Sequence, residues 1–114
     1  MAELAVSLDE VRRNFERYDL LDDQVRFLKG WFSETLPTAP IERLAVMRLD
    51  GDMYESTMDG LVNLYPKLSP GGFAIIDDYN ALQACNDAVH DFRRDQGVTA
   101  ELYLIPGTGA FWMK

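Results

Sequence analysis

The sequence predicts an α/β layered fold with a mostly parallel sheet and a C-terminal antiparallel hairpin. Three observations predict it. The apolar runs Leu44-Ala45-Val46-Met47-Arg48-Leu49 and Phe73-Ala74-Ile75-Ile76 are short, nearly continuous, and each ends in acids. Helical periodicity fills the stretch between them and the stretch after the second. Two further apolar runs, 102–105 and 111–113, flank Pro106-Gly107-Thr108-Gly109 near the end of the chain and read as a hairpin.

Each element has a local reason. Ser7-Leu8-Asp9-Glu10 is a capping box, and Leu8, Val11, Phe15 and Tyr18 follow at helical spacing, which predicts a helix over 8–18. Residues 19–23 form a polar turn in which Asp22-Asp23 is an exposed acid pair. Val25-Arg26-Phe27-Leu28 is a strand candidate that stops near Gly30. Residues 31–36 form a brief helix ended by Pro37 and Pro40. The run 44–49 suits a strand buried on both faces, as in a parallel sheet. Ser56 with Asp59 marks a helix start, and Met58, Leu61, Val62 and Tyr65 give that helix one apolar stripe. Ser69-Pro70-Gly71-Gly72 is a turn before the second buried strand. Ala84, Ala88, Val89 and Phe92 define a helix that ends at Gly97.

Composition bounds the class. The chain has 114 residues, 47% of them hydrophobic, which is enough for one domain with its own core. A net charge of −8 argues against a nucleic-acid partner. One cysteine, Cys85, excludes an internal disulfide. No apolar run is long enough to span a bilayer, and Met1-Ala2-Glu3-Leu4-Ala5-Val6 does not read as a signal peptide. These features predict a cytoplasmic protein with neither nucleic-acid nor membrane partners.

The acids carry the chemistry. In an open parallel sheet, ligands bind beyond the carboxyl ends of the strands. Asp50 and Asp77-Asp78 fall at that edge, on strands joined by one helix. Neighbouring strands lie ~4.8 Å apart, so these carboxylates converge. Convergent carboxylates raise their pKa values or hold a cation between them, and an all-oxygen donor set suits Mg²⁺ or another hard cation such as Ca²⁺ or Mn²⁺. The alternative is that each acid is a solvated cap. His90 falls off the apolar face of its helix and reads as a surface histidine. Cys85 reads as packing. Gly107-Thr108-Gly109 precedes no helix and so is not a phosphate loop. Trp31 and Phe32 either stack on a flat ring or pack in the core.

The segments 49–57, 64–72 and 75–79, together with Asn14-Phe15-Glu16-Arg17-Tyr18 and Phe111-Trp112, resemble the macrocin O-methyltransferase family. The resemblance implies a Rossmann-like methyltransferase fold. It also implies an S-adenosylmethionine-dependent and Mg²⁺-dependent O-methyltransferase of antibiotic biosynthesis. Its acceptor would be a small-molecule hydroxyl, such as a sugar of a natural product. Asp50, Asp77 and Asp78 match the family's metal-binding aspartates, and Asp50 matches its general base. Gly30 and Trp31 fall where the cofactor is contacted. Such an enzyme also uses an earlier strand, a glycine-rich loop and a second strand ending in an acid. The expectation is therefore that residues 1–114 form a single domain, the C-terminal part of a class I methyltransferase domain without that glycine-rich unit. The exposed strand edge this leaves invites pairing into a homo-oligomer. Two other readings stay open at this point. One is a non-catalytic α/β remnant or binding module. The other is a haloacid-dehalogenase-type phosphatase, suggested by Asp50-Gly51-Asp52 after a strand.

Overall fold

The computed structural model describes residues 6–114. The reading of the first segment as no signal peptide falls almost entirely on residues outside that range. The chain divides into two compact units, the described part of Met1–Gly30 and Trp31–Lys114.

In the first unit, α1 spans Leu8–Arg17. The Ser7 side chain accepts from the Glu10 N–H at 3.1 Å, the first half of the expected capping box. Phe15 meets Phe27 edge to face at 5.5 Å, and the Arg12 guanidinium lies 5.0 Å from the Phe27 ring centroid. The strand expected at Val25–Leu28 is absent among the described residues; the segment is irregular. An apolar run becomes a strand only where a neighbour offers a ladder, and Phe27 is used instead to cover α1.

The second unit opens with α2 (Phe32–Thr35) and then builds one four-stranded sheet from β1 (Leu44–Leu49), β2 (Leu68–Ile76), β3 (Tyr103–Leu104) and β4 (Ala110–Met113). Helix α3 (Tyr54–Leu64) connects β1 to β2, and α4 (Gln83–Asp95) follows β2. The strand order is β1-β2-β4-β3. β1 and β2 are parallel, while β4 runs antiparallel to both β2 and β3, so three of the four strands point the same way. The α/β class, the parallel pair and the antiparallel hairpin agree with the sequence reading.

Burial departs from it in one respect. Met47 and Leu49 on β1, Ala74 and Ile76 on β2, and Ala110 and Trp112 on β4 are buried on one face against Leu61 of α3 and Val89 and Phe92 of α4. Val46 and Phe73, on the alternate positions, are 50% and 40% exposed. The strands are therefore not buried on both faces. Helices α3 and α4 pack on the same face, so burial alternates with the pleat.

The stripe on α3 also differs. Thr57, Gly60 and Leu61 are its buried residues, and Val62 is exposed. The helix begins two residues earlier than Ser56 suggested, and Ser56 caps it from the first turn by accepting from the Met53 N–H at 3.2 Å. The Ser-Pro-Gly-Gly turn is taken up within β2. The register steps from Leu44↔Leu68 to Val46↔Phe73, so residues 69–72 bulge without ending the strand.

Helices α1 and α4 end in the same way. After α1, Asp19 donates to Glu16 and Leu20 donates to Phe15; after α4, Gly97 donates to Arg94 and Val98 donates to Arg93. These are Schellman closures, which need a left-handed residue. Gly97 has φ 65° and Asp19 has φ 56°. A Cβ at Gly97 would meet nothing within 4 Å, so only backbone strain opposes it. Gly97→Ala is expected to cost about 1 kcal/mol in urea unfolding. Asp19→Gly is expected to slow amide exchange in α1, because it removes the same strain and an acid from a helix C-terminus.

Candidate metal and methyl-transfer site

The parallel pairing Leu49↔Ile76 ends both strands at one level, and the Asp77 N–H donates to the Leu49 carbonyl at 2.9 Å. Asp50 and Asp77-Asp78 therefore leave the sheet side by side, as the sequence predicted. Among the described residues, Asp50, Asp52 and Asp78 each offer a carboxylate oxygen within 4.8 Å of the others. Asp77 turns another way. Its Oδ1 accepts from Arg48 Nη2 at 2.5 Å, and Arg48 Nη1 lies 3.7 Å from Asp50 Oδ2. Both residues lie in the turn that follows β2, where their side chains part: Asp77 goes to Arg48 and Asp78 to the cluster.

The cluster is electrostatically loaded. Burial, a hydrogen bond with Asp52, and the charges of Asp77, Asp50 and Asp52 push the Asp78 carboxyl up from 3.8 to about 6. A proton taken up by Asp78 relieves the repulsion, and a hard cation would relieve it in the same place. The donor set is all oxygen, with no imidazole or thiolate in it, and fits Mg²⁺.

The loop that carries two of these acids is held from below. The Gly51 carbonyl accepts from the Thr57 hydroxyl at 3.2 Å and from the Cys85 thiol at 3.0 Å. Burial raises the Cys85 pKa, with Asp78, Asp52 and Asp50 adding to the rise, so the thiol keeps its proton. A Cβ at Gly51 would lie 2.7 Å from Ser56 Oγ, so the turn closes tightly on the first turn of α3. On the β2 side, Thr108 donates its hydroxyl to the Asp77 carbonyl at 2.9 Å, and Asn80 N–H donates to the Thr108 carbonyl at 2.8 Å. The Gly107-Thr108-Gly109 loop is thus a strut for the acidic edge.

Of the other residues singled out by sequence, Trp31 is 77% exposed and lines a cleft of about 250 Å³ with Phe32, Ser33, Met53, Glu55, Ser56 and Asp59. Met53 and Ser56 join this cleft to the acidic loop. Gly30, at φ 141°, precedes Trp31 at the boundary of the two units. His90 is exposed at the surface as expected, with its Nε2 2.6 Å from the Tyr79 hydroxyl. Cys85 is buried, as its reading as a packing residue implied. Sequence reasoning did not assign Asp52 to the cluster, although the Asp-x-Asp spacing after a strand was a visible signal. It had no signal for Arg48, whose role depends on the neighbouring strand.

An open α/β sheet with convergent acids beyond parallel strand ends is the architecture of a ligand-binding α/β enzyme. The macrocin-O-methyltransferase (TylF) family matches residues 1–114, and the chain belongs to it. This membership displaces the phosphatase reading. The chain is 67% identical over 109 residues to the 8-demethyl-8-(2,3-dimethoxy-alpha-L-rhamnosyl)-tetracenomycin-C 4'-O-methyltransferase of Streptomyces olivaceus, covering 96% of this chain and 41% of that protein. It is 58% identical over 112 residues to the mycinamicin III 3''-O-methyltransferase of Micromonospora griseorubida, covering 98% and 44%. Its fold matches that of the O-methyltransferase NovP with a TM-score of 0.96 at 57% identity, covering 99% of this chain and 47% of that one. The chain therefore spans less than half the length of the curated relatives it matches. Among the described residues, no helix is long and apolar enough to cross a membrane.

The raised Asp78 pKa has a consequence for stability. Asp78 binds its proton more tightly in the fold than in the unfolded chain, so the folded state carries more protons between its ordinary 3.8 and about 6. In EDTA, stability is expected to fall as pH rises through that window. Asp78→Asn should flatten this slope and raise the Tm at pH 7, as measured by thermal denaturation across pH 4–8.

Proposed function

We propose that this chain forms the metal and acceptor side of an S-adenosylmethionine-dependent, Mg²⁺-dependent O-methyltransferase acting on a sugar hydroxyl of a natural product. The convergence of Asp50, Asp52 and Asp78 at the carboxyl edge of β1 and β2 carries the reading. It is supported by relatives, 58–67% identical, whose names specify O-methylation of antibiotic compounds.

A sugar hydroxyl is almost fully protonated at neutral pH and is a weak nucleophile. Mg²⁺, when bound, lowers the pKa of a hydroxyl oxygen that it coordinates. S-adenosylmethionine supplies the methyl group as a sulfonium. Asp50 and Asp78 belong both to the cluster in the structure and to the set implied by family resemblance, so they are assigned to the metal. Asp77 completes the set by resemblance and Asp52 by position. Asp50, at the exposed rim of the cluster, is assigned the hydroxyl proton as general base. Arg48, between Asp50 and Asp77, holds both acids at the edge. Gly30 and Trp31 are assigned to the donor by resemblance, and the exposed indole of Trp31 offers a stacking face.

Isothermal titration with Mg²⁺ tests the metal assignment. Asp50→Asn and Asp78→Asn should each weaken binding. Comparison of Asp52→Asn with Asp77→Asn identifies the third ligand as the one whose loss weakens binding more. Saturable binding that none of the four substitutions alters would overturn the assignment.

A chimera in which these 114 residues replace the matching part of the tetracenomycin relative tests the base. There, Asp50→Asn is expected to lower kcat by a factor of about 10² to 10⁴. Normal methyl transfer with metal bound would remove Asp50 from that role. The 114 residues carry no glycine-rich loop opening a helix, so titration of this chain alone with S-adenosylmethionine should give no micromolar Kd.

A further inference from the structure

We infer that Thr57 and Cys85 are positioning residues that set the aim of Asp50 and Asp52 by holding the Gly51 carbonyl between them. The inference rests on the reading of the acidic cluster as a cation site. A carbonyl oxygen has two lone pairs, and here it meets two donors from different helices, the Thr57 hydroxyl at 3.2 Å and the Cys85 thiol at 3.0 Å. The two donors also touch each other, with Thr57 Oγ1 3.4 Å from Cys85 Sγ. Their residues are 1% and 0% exposed.

The peptide plane explains why this fixes the acids. The Gly51 carbonyl shares a rigid plane with the N–H and Cα of Asp52. Holding the oxygen therefore holds the Asp52 Cα, and through Gly51 it limits the ψ freedom of Asp50. Gly51 has no side chain to restrict its own torsions, so without the two donors the loop would be the loosest part of the edge. Packing alone does not account for the pair. A buried helical threonine ordinarily returns its hydroxyl to the carbonyl four residues back, whereas Thr57 directs it to Gly51, outside its own helix. The thiol lies at the base of α4, 34 positions from the carbonyl it reaches. The loop is thus clamped to the two helices that pack on the sheet, and it moves only if they move.

The test measures Mn²⁺ binding to the chain by electron paramagnetic resonance, in parallel with thermal denaturation. Thr57→Val keeps the shape and deletes one donor; Cys85→Ala deletes the other. Each should weaken Mn²⁺ by about tenfold, whereas Thr57→Ser and Cys85→Ser, which keep a donor, should stay within about twofold of the parent. Val89→Ala, buried on the same helix as Cys85, should lower the Tm and leave Mn²⁺ affinity unchanged. If Thr57→Val and Cys85→Ala behave like Val89→Ala, the two residues only pack and the inference is wrong. If Cys85→Ala does not fold, Thr57→Val with its serine control decides alone.

If the parent chain binds no Mn²⁺, the cation reading fails on its own. The clamp is then judged by hydrogen exchange at the Met53 amide. Faster exchange in the donor-deleted variants but not in the serine variants sustains it, and equal exchange overturns it.

Discussion

The parallel pairing of β1 with β2 is the constraint on which the rest depends. Two strands joined by a single helix can lie parallel only if the helix carries the chain back along the sheet, and α3 does this between Leu49 and Leu68. Once Leu49 sits opposite Ile76, the residues that follow both strands must emerge at the same height. Asp50 and Asp77-Asp78 are brought together by that register and by no attraction of their own. A slip of β1 by one residue would turn Met47 and Leu49 out of the core and carry Asp50 away from Asp78 in the same movement. Burial of Met47, Leu49, Ala74 and Ile76 against α3 and α4 therefore supplies the energy that holds like charges in proximity.

That energy is set against repulsion that the edge manages in three ways. Arg48, on the same strand as Asp50, neutralises Asp77 and approaches Asp50. Burial, Asp52 and the charges of Asp77 and Asp50 raise the Asp78 pKa to about 6, so the most crowded acid is the one that takes up a proton first. Backbone groups carry the rest of the geometry, through the Gly51 carbonyl on the β1 side and the Asp77 carbonyl, held by Thr108, on the β2 side. Neutral donors on carbonyls fix positions without adding charge. Apart from Asp77, which Arg48 engages, the carboxylates can face a cation or a hydroxyl.

The parts of this arrangement that the sequence disclosed are those with a local cause. The runs at 44–49 and 73–76, the helical stripe at 84–92 and the closing hairpin each follow from periodicity and turn chemistry, and each is present. Acids directly after apolar strands placed Asp50, Asp77 and Asp78 at one edge. What was not legible is what depends on a neighbour. Val25–Leu28 has strand composition but no ladder to join. Val62 has the right spacing for the α3 stripe, yet Thr57 and Gly60 are buried in its place because the helix turns its small residues toward β1 and the loop. Asp77 and Asp78 are adjacent and chemically identical in sequence; only the turn after β2 and Arg48 on the next strand tell them apart. Asp52 was visible as the second acid of Asp50-Gly51-Asp52, and its pairing with Asp78 across the strand gap was not.

The division of labour proposed for the acids rests on these positions. A proton acceptor must meet its donor while the group that lowers the donor's pKa is also in reach, and a carboxylate bound by an arginine is the poorer acceptor. Asp77, at 2.5 Å from Arg48, is the most strongly committed of the four. Asp50 lies 3.7 Å from the same guanidinium and is exposed at the rim. Asp78 is half-buried and holds its proton up to about pH 6. Such an acid suits a ligand that a cation deprotonates, because cation and proton compete for one oxygen. The rim position, moderate pairing and exposure of Asp50 suit the residue that meets the incoming hydroxyl. In the proposed site, four carboxylates of one chemical type are thus distinguished by their distance to one arginine and their depth below the strand ends.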